Sequence, residues 1–453
     1  MVHDSYSAPC MKRPAPALIF AFITLFLDVL GFSLIIPVGP RLVAKVQGLP
    51  FEGSEGKTAF AVGALAATYA LMQFIFAPIL GSLSDRFGRR PVILISLLGS
   101  GLDYFVMAFA PSLAWLFITR AINGISGANM TACAAYIADV TPPEKRAAGF
   151  GIIGAAFGLG FIFGPLLGGV LGDPGTHLPL IGPGDIHYPF LAAGGLTLLN
   201  WLYGCLVLPE SLPKERRRPF SFASANPFGA IHWLTRHRVV AILAVTLFLV
   251  NVAQFSLHAT WVLSMSARFG WTPFHVGMSL FVVGVCAAIV QGGLSRRIIP
   301  AIGERVCLVG GLIIAVFAFL GYGLATQGWM IYAIIAAASI GGLSAPAAQG
   351  ITSKAIPPTE QGLLQGALSG LNSIAGMVGY LSGTLLFAHF TSPEAIAPLP
   401  GKGASVSFLF SAMLSILSLG PVLFVWNRLP RTVAQTVTEA PASAAESAAT
   451  PGS

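Results

Sequence analysis

The chain has 453 residues, of which 55% are hydrophobic and only 9% charged. Ordinary globular domains carry roughly 25% charged residues, so this composition excludes a soluble protein and puts most of the chain in lipid. The formal net charge of +8 would suit a nucleic-acid partner, but the positive residues sit in short loops beside apolar runs rather than on one basic face, so no nucleic-acid role is expected.

A helix needs roughly 20 apolar residues to cross a hydrocarbon core of about 30 Å. Twelve stretches satisfy this, at 16–38, 59–80, 91–110, 113–137, 147–171, 188–209, 238–262, 274–294, 305–326, 329–350, 362–388 and 404–427. The first follows Lys12 and Arg13 as a signal peptide would. Its apolar stretch is too long for one and lacks a small-residue cleavage site, so it reads as a retained helix. Short loops rich in Lys and Arg stay on the cytoplasmic side. With the N-terminus inside, only Arg41, Lys45, Lys57, Arg268 and Lys402 fall in outer loops and only Arg120 within a helix, out of 25 Lys and Arg. Both termini are therefore expected in the cytoplasm.

The chain divides into a cytoplasmic tail (1–15), a six-helix half (16–209), a cytoplasmic central loop (210–237), a second six-helix half (238–427) and a tail (428–453) small and polar enough to be disordered. The halves repeat. "GSLSDR" at Gly81 returns as "GGLSRR" at Gly292, and "PPEKRAAGFG" at Pro142 as "PPTEQGLLQG" at Pro357, each pair joining equivalent helices. Two parallel six-helix repeats are a transporter arrangement, with the substrate path between the halves near the midplane.

Ionisable groups inside the membrane are costly and point to function. Asp28 and Asp103 each lie about 12 residues into an outward-running helix, or ~18 Å deep. They read either as proton or substrate handlers or as structural hydrogen bonders. Arg120, near the outer end of the fourth span, needs an acid or backbone carbonyls, and these two acids are the mid-membrane ones available; a static ion pair or a side chain reaching to the interface is the other reading. In the second half the mid-segment ionisable group is His258, a coupling residue or a hydrogen-bonded packing residue. Gln291 and Asn251 are possible substrate contacts. "GLGFIFGPLLGG", with Gly160, Gly164, Pro165, Gly168 and Gly169, allows close helix approach and a proline-freed backbone. Cys10, Cys133, Cys205, Cys286 and Cys307 are scattered, so neither disulfides nor a metal site is expected. No phosphate loop, paired metal ligands or nucleophile elbow appears, so the chain does not read as an enzyme.

Four motifs together resemble the major facilitator superfamily, and within it the drug/proton antiporters of the tetracycline-efflux type. They are "LDVLGFSLIIPVGPRL" in the first span, "GSLSDRFGRRPV" (with Gly81, Asp85, Arg86, Gly88, Arg89 and Arg90) after the second, Arg120 to Gly124 in the fourth, and Gly164, Pro165, Gly168 and Gly169 in the fifth. "LDYFVMAFA", "YIADVTPPEKRA", "LPES" and "GLATQGWM" are similar to the tetracycline branch. The resemblance implies an all-α fold of twelve transmembrane helices in two pseudo-repeats, in a bacterial inner membrane. It implies proton-coupled efflux of a small amphipathic drug by alternating access, with the proton gradient and no cofactor as energy source, and a functional monomer. It also implies that Asp85 and Arg89 gate the cytoplasmic side, Asp85 favouring a helix N-terminus of the other half.

The departures are Ala287 and Ala315, where that family carries a coupling His and Asp; coupling then falls on Asp28 and Asp103, with His258 as a substitute in space. The outer loop "GDPGTHLPLIGPGDIHYP" is longer than the family's. Import or uniport of a small metabolite, and a non-transporting receptor or scaffold, are the competing functions.

Overall fold

In hydrocarbon every backbone N–H and C=O has to be satisfied within its own segment, and the chain answers with helix almost throughout. The computed structural model describes residues 14–127, 129–141, 146–179, 181–219, 229, 233–236, 238–357, 360–391 and 403–426. Residues 1–13 with Cys10, the tail 428–453, the "PPEK" turn and much of the central loop lie outside the described residues, while positions 14 and 15 of the expected N-terminal tail belong to α1.

The first half runs α1 (Pro14–Leu34), α2 (Gly39–Val46), α3 (Glu55–Phe87), α4 (Arg89–Ala108), α5 (Leu113–Gly127), α6 (Asn129–Val140), α7 (Arg146–Gly172) and α8 (Tyr188–Val207). The second runs α9 (Arg238–Phe269), α10 (Pro273–Ala287), a π-helical stretch (Ala288–Leu294), α11 (Ser295–Ile302), α12 (Glu304–Leu324), α13 (Gly328–Ser339), α14 (Ser344–Lys354), α15 (Gln361–Thr391) and α16 (Val406–Phe424). Among the described residues ten helices are long and apolar enough to span a membrane, eleven when α1 and α2, bent by 49°, count as one. α5 and α6 supply the twelfth, the expected span at 113–137. The bend follows Pro37, which has no N–H to give the helix ladder. Several helices outrun their predicted ends, α3 reaching Phe87 and α9 Phe269, because hydrogen bonding continues into water after the apolar run stops.

The repeat is visible in the backbone. Gly88 (φ 107°) precedes α4 and Gly303 (φ 87°) precedes α12, 215 positions apart. Six positions separate Arg297 from Gly303 where two separate Arg86 from Gly88; the extra residues form part of α11.

The side on which α1 begins and α16 ends is the proximal side; the opposite one is distal. The halves touch distally. A Cβ on Gly277 would lie 2.3 Å from Pro165 O, and one on Gly169 2.5 Å from Pro273 O, so α7 and α10 meet backbone to backbone. Proximally the same two helices part: a Cβ added to Gly151, Gly154 or Gly158 on α7, or to Gly292 or Gly293 after α10, would meet no described residue within 4 Å.

The long loop between α7 and α8 forms a two-residue hairpin, β1 (His177–Leu178) against β2 (Gly182–Pro183), on the distal face. At its base Asp173 crosses to the other half, where its Oδ2 accepts the Phe274 N–H at 3.1 Å, capping α10 where the helix dipole favours an anion. Arg41 adds a hydrogen bond to Trp271 O at 3.4 Å. Burial pushes the Asp173 pKa up, but hydrogen bonds from Thr272, Gly175 N–H and Phe274 N–H and the charge of Arg41 outweigh it and hold the carboxyl below its ordinary value. A lowered pKa means that the latch has full strength above the ordinary carboxylate value of about 4 and weakens only as pH falls through the lowered one. The labelling rate of a cysteine placed at the distal mouth, divided by that of a free thiol at the same pH to remove the thiolate's own titration, should thus stay flat from neutral pH down to about 4 and rise below it.

Candidate functional site

The first wall of the space between the halves carries the intramembrane charges. Asp103 on α4 is buried, and its Oδ2 accepts the Asn123 amide at 3.0 Å while Arg120 Nη2 stands 3.9 Å away. Arg120 and Asn123 are three residues apart on α5, hence on one face, so a single helix offers Asp103 both a charge and a neutral donor. Arg120 also donates to Met107 Sδ at 3.2 Å, and Asp103 Oδ1 has no hydrogen-bond partner among the described residues. The Arg120 charge is thus compensated by Asp103 and not by Asp28. Asp28 on α1 is half-buried and has no hydrogen bond or ion pair among the described residues. Tyr69, Tyr104 and Cys133 lie within its electrostatic reach.

The second wall belongs to α9 and α15. His258 is accessible although protein surrounds it, so it lines an internal space. Gln254, also accessible, lies one turn away, with its Nε2 3.0 Å from His258 Nε2. The edge of Phe255 meets His258 at 6.2 Å and Tyr380 at 5.1 Å, and Tyr380 is within electrostatic reach of Tyr69 on the first wall. The partner of His258 is therefore Gln254, and the structure does not pair it with Asp28 or Asp103. Asn251 shares the His258 face of α9. Gln291 is exposed in the π-helical stretch, a rare geometry that favours functional positions. Ala287 ends α10 immediately before it, and Ala315 packs against the apolar core of the second half.

The proximal loop motif is held inside its own half. Asp85 pairs with Arg89 at 2.6 Å, Arg89 reaches Asp139 at 3.2 Å, and Arg90 donates to Cys205 O at 2.7 Å. Glu210 accepts the N–H groups of Arg89 and Arg90 at 2.9 and 3.3 Å, capping α4. Arg86 lies over the Phe87 ring at 5.1 Å, and Gly81 faces Thr131 at the edge of contact. Asp85 was expected to meet a helix of the other half; here it turns to Arg89 because the halves stand apart on this side. At Gly88 the positive φ and the Glu210 carboxylate, 2.2 Å from any added Cβ, both exclude a side chain. Gly88→Ala should cost about 1–2 kcal/mol, read as a lower melting temperature of the detergent-solubilised protein.

The fifth-span glycines lay α7 against α1. Gly160, Gly164 and Gly168 meet Val29, Ser33 and Leu34, and Ser33 Oγ donates to Gly160 O at 2.9 Å. Pro165 and Gly169 turn to the other half instead.

Residues 21–328 match the family profile described as Major Facilitator Superfamily. The chain belongs to the Major Facilitator Superfamily. It is 37% identical to the tetracycline resistance protein, class C, of Escherichia coli, covering 83% of this chain and 91% of that one. It is 36% identical to the class G protein of Vibrio anguillarum, covering 82% and 90%. Among solved structures, the human organic anion transporter MFSD10 (TETRAN) superposes with a TM-score of 0.66 at 25% identity, covering 90% of this chain and 99% of that one. A bacterial homolog of the human lysosomal transporter Spinster shares the fold, with a TM-score of 0.72 at 17% identity, covering 91% and 96%.

As a major facilitator, the chain is a multi-pass membrane transporter and not an enzyme. Its two walls differ in chemistry: one offers carboxylates, the other neutral hydrogen-bonding groups and aromatic edges. Sequence reasoning missed Asn123, Gln254, Asp139, Glu210 and Asp173. Helical spacing from Arg120 and from His258 would have found the first two; the last three pair across distances that no local pattern shows. Among the described residues no group of three or more His, Cys, Asp or Glu could hold a metal.

Proposed function

We propose that this chain exports a small amphipathic drug, with tetracycline as the first compound to try, in exchange for protons across a bacterial inner membrane. The proximal side is then cytoplasmic and holds both termini, the proton gradient supplies the energy without a cofactor, and the monomer is the working unit. The observation that carries the reading is Asp28, a half-buried carboxylate about midway along its span with no hydrogen bond or ion pair among the described residues, in a fold closed distally at the Gly169 and Gly277 seam. Its charged and neutral forms bias the two conformations differently, which is what couples proton to substrate. The tetracycline resistance proteins of classes B to E, G and H, all 35–37% identical over more than four-fifths of this chain, support export as the direction. With alanine at 287 and 315, Asp28 and Asp103 carry the coupling, Asp85 and Arg89 act on the proximal side, and Pro165 and Gly169 of the fifth-span motif set the distal seam.

Inverted membrane vesicles loaded with a pH-sensitive dye test it. Adding tetracycline to acid-loaded vesicles should discharge the proton gradient in proportion to drug uptake. A gradient that stays intact with tetracycline and with a broad panel of amphipathic drugs would overturn export.

A further inference from the structure

Gln254 has no role in the coupling scheme, yet it fixes the state of its neighbour. Asn251, Gln254 and His258 stand at i, i+3 and i+7 on α9, one face of the helix. Between them Val252, Ala253, Ser256 and Leu257 are buried, against α15 through Gly379 and Gly383 and against α16 through Ser411. In the amide orientation of the structure Gln254 Nε2 donates and His258 Nε2 accepts at 3.0 Å. The one proton of the neutral ring then sits on Nδ1. That N–H has no protein partner among the described residues, the ring is accessible to the internal space, and the Phe255 edge restricts its tilt. A donor without a partner inside a largely apolar space favours an oxygen acceptor, more so an anionic one.

We propose that His258, oriented by Gln254, is the donor that anchors a carbonyl, enolate or carboxylate oxygen of the exported compound. His258 touches the substrate; Gln254 is a positioning residue that acts through it. The assignment rests on the export reading and names the acceptor chemistry which that reading leaves open.

The test uses the purified full chain in proteoliposomes with tetracycline, whose keto and enol oxygens make it the probe, and follows KM and Vmax separately. His258→Ala should raise KM about tenfold, the worth of one hydrogen bond, with Vmax little changed. Gln254→Ala should raise KM less, and adding it to His258→Ala should raise KM no further, since its effect passes through the imidazole. His258→Asn should recover most of the affinity, because its amide N–H falls near the place of Nδ1–H; His258→Gln, which mimics Nε2, should not. Melting curves of each variant check folding. An unchanged KM in His258→Ala, additive effects of the two alanines, or His258→Asn no better than His258→Ala would overturn the assignment while leaving export standing. A folded wild-type protein that moves no tetracycline would overturn the export reading for this drug, and this anchor with it.

Discussion

Asp28→Asn should reduce uphill drug transport at least a hundredfold while the protein still inserts and melts at the wild-type temperature. The argument is one of uncompensated charge. Asp28 makes no hydrogen bond or ion pair among the described residues, so a neutral isostere breaks nothing and removes a group whose ionised form is expensive at that depth. What it removes is the ability to carry charge in one conformation and a proton in the other, and without that difference the gradient cannot bias the cycle. Asp103→Asn separates coupling from structure. It leaves Arg120, part-buried at 12% exposed and 3.9 Å from the lost charge, without that counter-ion; removing one partner of a fully buried pair costs about 3–5 kcal/mol, and of a part-buried pair less. Its transport should fall together with its melting temperature. Proteoliposome uptake under an imposed pH gradient, beside thermal unfolding, reads both; wild-type uphill transport by Asp28→Asn would remove Asp28 from the mechanism.

Gly277→Val should be nearly as damaging for a different reason. The first atom of the new side chain would lie 2.3 Å from Pro165 O, which is backbone and cannot rotate aside. The clusters around Leu34, Tyr104 and Phe190 and around Tyr136 and Ile137 lie wholly in the first half; the one around Trp261, Tyr322 and Phe408 reaches the seam, taking in Ala44, Phe51 and Ala59 of the first half and Val276 beside Gly277, so most but not all of the core is left untouched. The expected result is a folded protein that cannot shut its distal side, with export at about 1% of wild type or less, the few kcal/mol of a backbone overlap being spread over every turnover. A cysteine introduced near Trp271 should label from the distal side several times faster than in the wild-type background. Normal export with unchanged labelling would show that α7 and α10 need not meet.

Much of this was legible in the sequence because hydrocarbon simplifies the code. Span length, loop charge and the cost of a buried acid each act locally, so the spans and Asp28, Asp103 and Arg120 could be read directly. The choice of Asp103 over Asp28 as the acid beside Arg120 was not legible, since it depends on how α4 and α5 cross. Nor was the role of the long distal loop, whose Asp173 finds its partner 101 residues away. The state of the proximal side was hidden for the same reason: Asp85 has one partner when the halves part, and a sequence holds no record of which conformation is populated.

The two halves also differ where their backbones agree. Arg89 and Asp139 pair at 3.2 Å in the first half, while Glu304 and Lys354, each 215 positions later, pair at 2.7 Å in the second. The bridge is kept and its polarity reversed. During synthesis the first six helices enter the membrane before the second six exist, and parallel repeats offer each later helix a look-alike berth on the earlier half. Were α14 to dock against α4, Lys354 would face Arg89; were α12 to dock against α6, Glu304 would face Asp139. Like charges at such range repel, more strongly beside the sheltered Arg89 than beside Lys354, which water reaches. The inverted pair would thus disfavour an exchange of parts between two copies of one scaffold in a single chain.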